Sequence, residues 1–147
     1  MAKRILEDSE FSHIMKMHIA EILELLMQRG QFFSILTNIA PVTFNPPLPS
    51  HIKENFKPIT LFVVAEYTFE SSSIDDNFLY FEAGFGEENV GSIVTIPLNA
   101  IVQILIEETP IFINLAMELV PEKKEQNIKK STNIFLSNPE NKGLIKS

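Results

Sequence analysis

"FEAGFGEENVG", residues 81–91, sets three glycines within eight residues directly behind an apolar run. A glycine-rich turn after a strand cradles phosphate when a helix follows with its N-terminus facing the anion. Here "GSIVTIP", residues 91–97, follows instead, and it is β-branched. The spacing of Gly84, Gly86 and Gly91 fits neither the dinucleotide nor the P-loop fingerprint. The stretch has no lysine, and Glu87 and Glu88 would repel an anion. It is therefore a strand and a hairpin loop, with glycines supplying positive φ. Residues 78–85 pair with residues 91–97, Phe78, Tyr80 and Glu82 facing one side and Leu79, Phe81 and Ala83 the other.

Working outward, the same period of two recurs. Residues 59–69, "ITLFVVAEYTF", read as a long strand with Ile59, Leu61, Val63, Ala65, Tyr67 and Phe69 on one face. Residues 32–40, "FFSILTNIA", read as a first strand, continued by residues 42–45 after Pro41. Between them "PPLPSHIKENFKP" holds four prolines in thirteen residues, which precludes a strand and allows a short helical turn at 49–55. "ESSSIDDN", residues 70–77, is a polar turn. Residues 98–108, "LNAIVQILIEE", follow Pro97 and stop at two glutamates, which favours a short helix. Residues 110–119, "PIFINLAMEL", alternate as a closing strand.

Residues 11–29 have helical spacing, with apolar positions at 11, 14, 15, 19, 22, 23, 25 and 26 and His18 in the same stripe. Asp8, Ser9 or Ser12 caps the start and Gly30 stands where helices end. The stripe is wide enough to pack on its own domain and on a partner chain, and it equally fits a central core helix. The pattern predicts an α+β, mainly β fold: an N-terminal helix, then a small two-sheet β-sandwich or partly open barrel of five or six strands. Residues 1–120 form the domain. Residues 121–147 turn to Lys, Glu, Asn and Ser without periodicity and are expected to be a disordered tail with one apolar pair, Leu144 and Ile145.

The chain has 147 residues, 45% hydrophobic and 21% charged, with no cysteine. That length suits one domain burying roughly two-thirds of its unfolded surface. Residues 1–30, 31–120 and 121–147 carry net charges of −1, −9 and +3, giving the total of −7. An acidic body is a poor partner for nucleic acid. Lack of cysteine excludes disulfides, thiolate zinc sites and a cysteine nucleophile. No run approaches ~18 apolar residues, so no membrane span is expected, and the expected location is the cytoplasm.

No catalytic constellation emerges. His13 and His18 are five apart and share no metal-binding face, no GxSxG is present, and adjacent acids such as Asp75/Asp76 point to different sides. The expectation is a protein without catalysis, cofactor or metal.

Three strings in order carry a resemblance: "FFSILTNIAPVTFNP", then "DDNFLYFEAGFG", then "VTIPLNAIVQI". Together with the helix before them, they resemble the stringent starvation protein B (SspB) family, adaptors that deliver ssrA-tagged proteins to the ClpXP protease. The likeness spans about residues 15–117. It implies an SspB-like, Sm-like fold and a homodimer joined through the N-terminal helices, with Met15, His18, Ile19, Ile22 and Leu26 at the interface. It also implies a hydrophobic groove between the sheets for an extended tag, contacted by Ile39, Pro41, Val42, Phe44, Ala83, Phe85, Gly86, Glu87 and Thr95. The tail segment "GLIKS" resembles the family's docking motif for the ClpX N-terminal domain, with Leu144, Ile145 and Lys146 as matching positions. Two positions depart from the family: Val42 follows Pro41 where a glycine is usual, and Glu87 stands in place of the second loop glycine. Both lie close to the tag site and so bear on peptide preference rather than fold. The alternative is a non-catalytic interaction module of the same fold with a different ligand.

Overall fold

The computed structural model describes residues 4–116 and, beyond them, two short strands at Leu136–Pro139 and Lys142–Ile145. The chain divides into two units, Met1–Ala116 and Met117–Ser147. In the second unit the two strands pair antiparallel. Most of the tail expected to be disordered, and Lys146 within it, lies outside the described residues.

The first unit opens with a 3-10 turn, Ile5–Glu7, and helix α1, Ser9–Gln28. Asp8 caps α1 by accepting hydrogen bonds from the backbone N–H of Glu10 and Phe11 at 2.8 and 3.2 Å. At the other end Gly30 takes φ +67°. The Gln31 N–H then reaches Leu26 O and the Gly30 N–H reaches Met27 O. That pair of bonds satisfies the last carbonyls, and the left-handed residue suits glycine. Ile19, Leu23 and Leu26 are buried.

Eight strands follow, more than the five or six expected, with β1 at Phe33–Asn38, β2 at Thr43–Asn45, β3 at Ile59–Val64 and β4 at Ser73–Ile74. The others are β5 at Phe78–Phe85, β6 at Val90–Pro97, β7 at Ile101–Ile106 and β8 at Thr109–Ile113. They form two four-stranded sheets, β3-β1-β7-β8 and β2-β6-β5-β4, whose pairings are all antiparallel. The architecture is α+β and mainly β. The core includes Phe33 and Ile35 of β1, Leu79 and Phe81 of β5, Val94 and Ile96 of β6 and Ile101 and Ile104 of β7, closed by the buried face of α1.

Residues 42–45 do not continue β1. The Val42 N–H bonds Ile39 O across a tight corner, and β2 joins the other sheet beside β6. Pro41 sits in that corner, where a missing N–H costs no ladder bond. The expected long strand 59–69 ends at Val64. Glu66 takes φ +54°, and helix α3, Glu66–Glu70, carries the Phe69 ring to within 5.2 Å of Phe32 and 6.2 Å of Phe33. The inward face of β3 carries Phe62 and Val64, which are buried, while Leu61 and Val63 are 52% and 60% exposed. Both faces of β3 are apolar, so alternation alone does not choose between them; the Phe62 ring settles it by packing 5.7 Å from Phe81. The helix expected over 98–108 is a single 3-10 turn, Leu98–Ala100, before β7. The β-branched Ile101, Val102, Ile104 and Ile106 favour the strand, which is central in its sheet.

Candidate peptide-binding site

The β5–β6 hairpin pairs Phe85 with Val90 across a four-residue loop, in which Gly86 has φ +74° and Asn89 φ +53°. Glycine is required at Gly86 for a second reason. A Cβ there would stand 2.9 Å from Ile52 Cδ1 on the short helix α2, Ser50–Lys53. The proline-rich segment before α2 is tied down where Ser92 Oγ donates to Pro46 O at 2.9 Å, and its Leu48 and the Ile52 of α2 are buried.

Phe56 follows α2 and enters the gap between the two sheets. Its ring stacks on Phe44 of β2 at 5.5 Å with 7° between planes, and meets Phe85 edge-on at 5.9 Å. Phe62 of β3 lies 6.3 Å from Phe56, so rings from both sheets share one cluster. Beside it opens a cavity of about 450 Å³ lined by His51, Ile52, Asn55, Phe56, Phe85, Gly86, Glu87 and Glu88. That volume lies within the ordinary range of ligand sites. The lining is aromatic and aliphatic on the inside and acidic at the rim, where His51 Nε2 stands 3.7 Å from Glu88 Oε1. Both of those side chains are about two-thirds exposed, so the contact is set by solvent and its attraction is small.

Of the residues expected to contact a peptide, Phe85, Gly86 and Glu87 line this cavity and Phe44 touches Phe85 beneath it at 5.6 Å. Val42 is buried in the core, Ile39 packs against it, and Pro41 is half-buried at the corner. Ala83 lines a different cavity, and Thr95 stands on β6 paired with Thr43 and Tyr80. Pattern reasoning missed His51, Ile52, Asn55, Phe56 and Glu88. The signal was an aromatic and an isoleucine inside a proline-rich segment, which must bury somewhere. Among the described residues no cluster of three or more His, Cys, Asp or Glu is placed to hold a metal ion.

On α1, Ile19 and Leu26 lie in the protomer's own core and Met15 and Ile22 are half-buried. What the helix leaves outward is Ile14, Met17 and Leu25, each about half exposed, with His18 between them. Met17 and His18 lie three and four residues beyond Ile14, and Leu25 lies seven beyond His18, two turns further on the same side, with the exposed Glu21 between them. No described helix is long and apolar enough to cross a membrane. No protein-family model matches the chain, and none of the curated proteins matches it.

Proposed function

We propose that the protein is a non-catalytic adaptor that holds ssrA-type degradation tags and tethers tagged substrates to the ClpXP protease in the cytoplasm. The observation that carries this reading is the cavity floored by Phe56 and Phe85 and rimmed by Gly86 and Glu87. The resemblance to the SspB family calls for tag contacts at that same loop. An apolar side chain of an extended peptide would rest on the two rings, and the positive φ of Gly86 lets the loop pass close over α2. A tail carrying Leu144, Ile145 and Lys146 would dock on the ClpX N-terminal domain. Tethering of this kind raises the effective substrate concentration, by ~100-fold or more for a suitable link. Pairing of two protomers through the α1 stripe would present two such tails.

A second reading keeps the fold and the groove but changes the ligand. Glu87 and Glu88 favour it, because acidic side chains at the rim select peptides that carry positive charge. One titration separates the two. A fluorescein-labelled ssrA peptide should bind the full chain, and Phe56→Ala should weaken it about tenfold or more through loss of the stacking surface. Deleting residues 142–147 should leave that binding intact and stop acceleration of tagged-substrate degradation by ClpXP. Absence of binding to any ssrA-type peptide overturns the adaptor reading.

A further inference from the structure

A second cavity, of about 530 Å³, opens on the outer face of the β2-β6-β5-β4 sheet, away from the Phe56 cluster. It exists because Gly84 and Gly91 face each other across the β5–β6 ladder, so that row of the sheet has no side chains. A Cβ at Gly91 would meet nothing within 4 Å, whereas one at Gly84 would collide with the Asn89 amide. The next row sets Glu82 opposite Ile93, which is 42% exposed. Tyr67 of α3 forms the far wall, and its hydroxyl donates to Glu82 Oε1 at 2.6 Å. The walls are thus an aromatic ring and an isoleucine, and at the base stand a carboxylate held from one side and the Asn89 carbonyl oxygen.

The backbone at this place is also unfinished. Strand β4 covers β5 only at Leu79 and Tyr80. At Glu82 the N–H on that side is taken by Ser71 Oγ at 2.9 Å. Strand alternation turns the N–H and C=O of Gly84 to the same edge. Among the described residues no strand or side chain pairs with them. A short open edge next to a cavity with a fixed carboxylate accepts main chain along the edge and a side chain into the hole.

We propose that this cavity receives the side chain of a lysine or arginine carried by a short extended peptide segment that pairs with the Gly84 edge of β5. Charge decides the occupant. Residues 31–120 have only Lys53 and Lys57 against eleven acids, and Glu66 and Glu70 stand on the same short helix as Tyr67. An acidic side chain would be repelled by Glu82, and a neutral one would add no charge-assisted bond to the single one that Tyr67 gives it. A basic one gains a charge-assisted hydrogen bond to Glu82 and lays its stem along Tyr67 and Ile93.

The test uses the full chain and a peptide labelled at its N-terminus, fluorescein-Gly-Gly-Thr-Val-Lys-Val-Thr-amide, read by anisotropy and by amide chemical shifts. Saturable binding with shifts at Tyr67, Thr68 and 82–84 is expected. Replacing the peptide lysine by norleucine, or Glu82→Gln in the protein, should each weaken binding about fivefold to tenfold. Gly91→Leu fills the cavity from a position with open space around it; it should abolish binding while leaving the circular dichroism spectrum and any ssrA-peptide affinity unchanged. No saturation at millimolar peptide, full binding by Gly91→Leu, or shifts centred on Ile52, Phe56 and 85–88 overturns the proposal. Because ssrA peptide is titrated alongside, failure here is distinguishable from failure of the adaptor reading.

Discussion

The backbone of Gly86 and the side chain of Ile52 are in contact across the mouth of the Phe56 cavity, so close that a Cβ on Gly86 would stand 2.9 Å from Ile52 Cδ1. Gly30 has nearly the same dihedral, φ +67° against +74°, but nothing within 4 Å of its Cβ position. The two glycines therefore separate conformational strain from crowding. Gly30→Ala should cost about 1 kcal/mol, the left-handed penalty alone, and Gly86→Ala about 2 kcal/mol or more, since Ile52 must also shift. Urea denaturation of the two variants checks the difference, and equal losses would remove the packing argument.

The β7–β8 hairpin turns on Glu107 and Glu108, both at positive φ, 50° and 73°. A two-residue turn of that hand prefers Asn-Gly. Glu107→Asn with Glu108→Gly should therefore stabilise the protein by about 1–2 kcal/mol, as the strain at two left-handed residues is relieved. A higher denaturation midpoint with an unchanged slope is the expected result.

Thr37 is fully buried and its hydroxyl donates to Ala100 O at 2.9 Å, bridging β1 to the turn that precedes β7. The β1–β7 register shifts at this point, so the side chain replaces a ladder bond. Thr37→Val keeps the shape and removes the donor, at an expected cost of about 1–2 kcal/mol. Thermal or chemical unfolding measures it, and a neutral outcome would mean the carbonyl finds another donor.

Asp75 closes the turn between β4 and β5, accepting from Tyr80 Oη at 2.7 Å and from the Asn77 and Phe78 N–H groups at 2.9 and 2.8 Å. The Tyr80 hydroxyl first, then the two amides, hold its carboxyl below the ordinary 3.8. A lowered folded-state value means stability present above the ordinary value and lost as pH falls through the folded one. Asp75→Asn should therefore be less stable than the native chain at pH 7, with the gap narrowing below pH 3.8. A gap that does not change with pH would assign the effect to shape alone.

The β5–β6 hairpin was legible because its two faces differ in polarity: Leu79 and Phe81 are buried, and Glu82 and Gly84 are exposed. The helix was legible from its caps and its spacing. β3 was not, because Leu61 and Val63 are as apolar as Phe62 and Val64, and only tertiary packing of Phe62 chooses the inner face. The same limit applied to 98–108, where the signals of a proline start and an acidic stop were outweighed by β-branched residues. At the candidate site, the glycines marked only a hairpin loop, and Phe85–Glu87 were indicated as contacts by the resemblance to the SspB family alone. Phe56 and Ile52 were indicated by neither, since their position depends on how a proline-rich segment folds back between two sheets.

Ile14, Met17 and Leu25 are about half exposed along one stripe of α1 and do no packing that the protomer's core needs. If that stripe joins two protomers, Leu25→Glu should halve the mass seen by analytical ultracentrifugation. It should leave protomer stability within about 0.5 kcal/mol, as for surface changes in general. A native chain that sediments as a monomer at every concentration would exclude the paired form.

The outer face of the β3-β1-β7-β8 sheet supplies the last prediction. Leu61 stands in register with Leu36, and Leu36 with Gln103, which pairs onward to Ile113. Leu61 and Ile113 are about half exposed, Val63 and Ile59 add to them along β3, and none of these four strands contains a charged residue. An uncharged, apolar edge strand is a template for pairing with another chain. Leu61→Lys with Val63→Lys should change stability by less than about 1 kcal/mol, because neither side chain is buried. Phe62→Ala, one position away but facing inward, should cost about 3–5 kcal/mol. Light scattering on heating should fall in the double lysine variant at nearly unchanged unfolding temperature. If scattering instead follows stability alone, rising only in Phe62→Ala, the outer face is not what drives association.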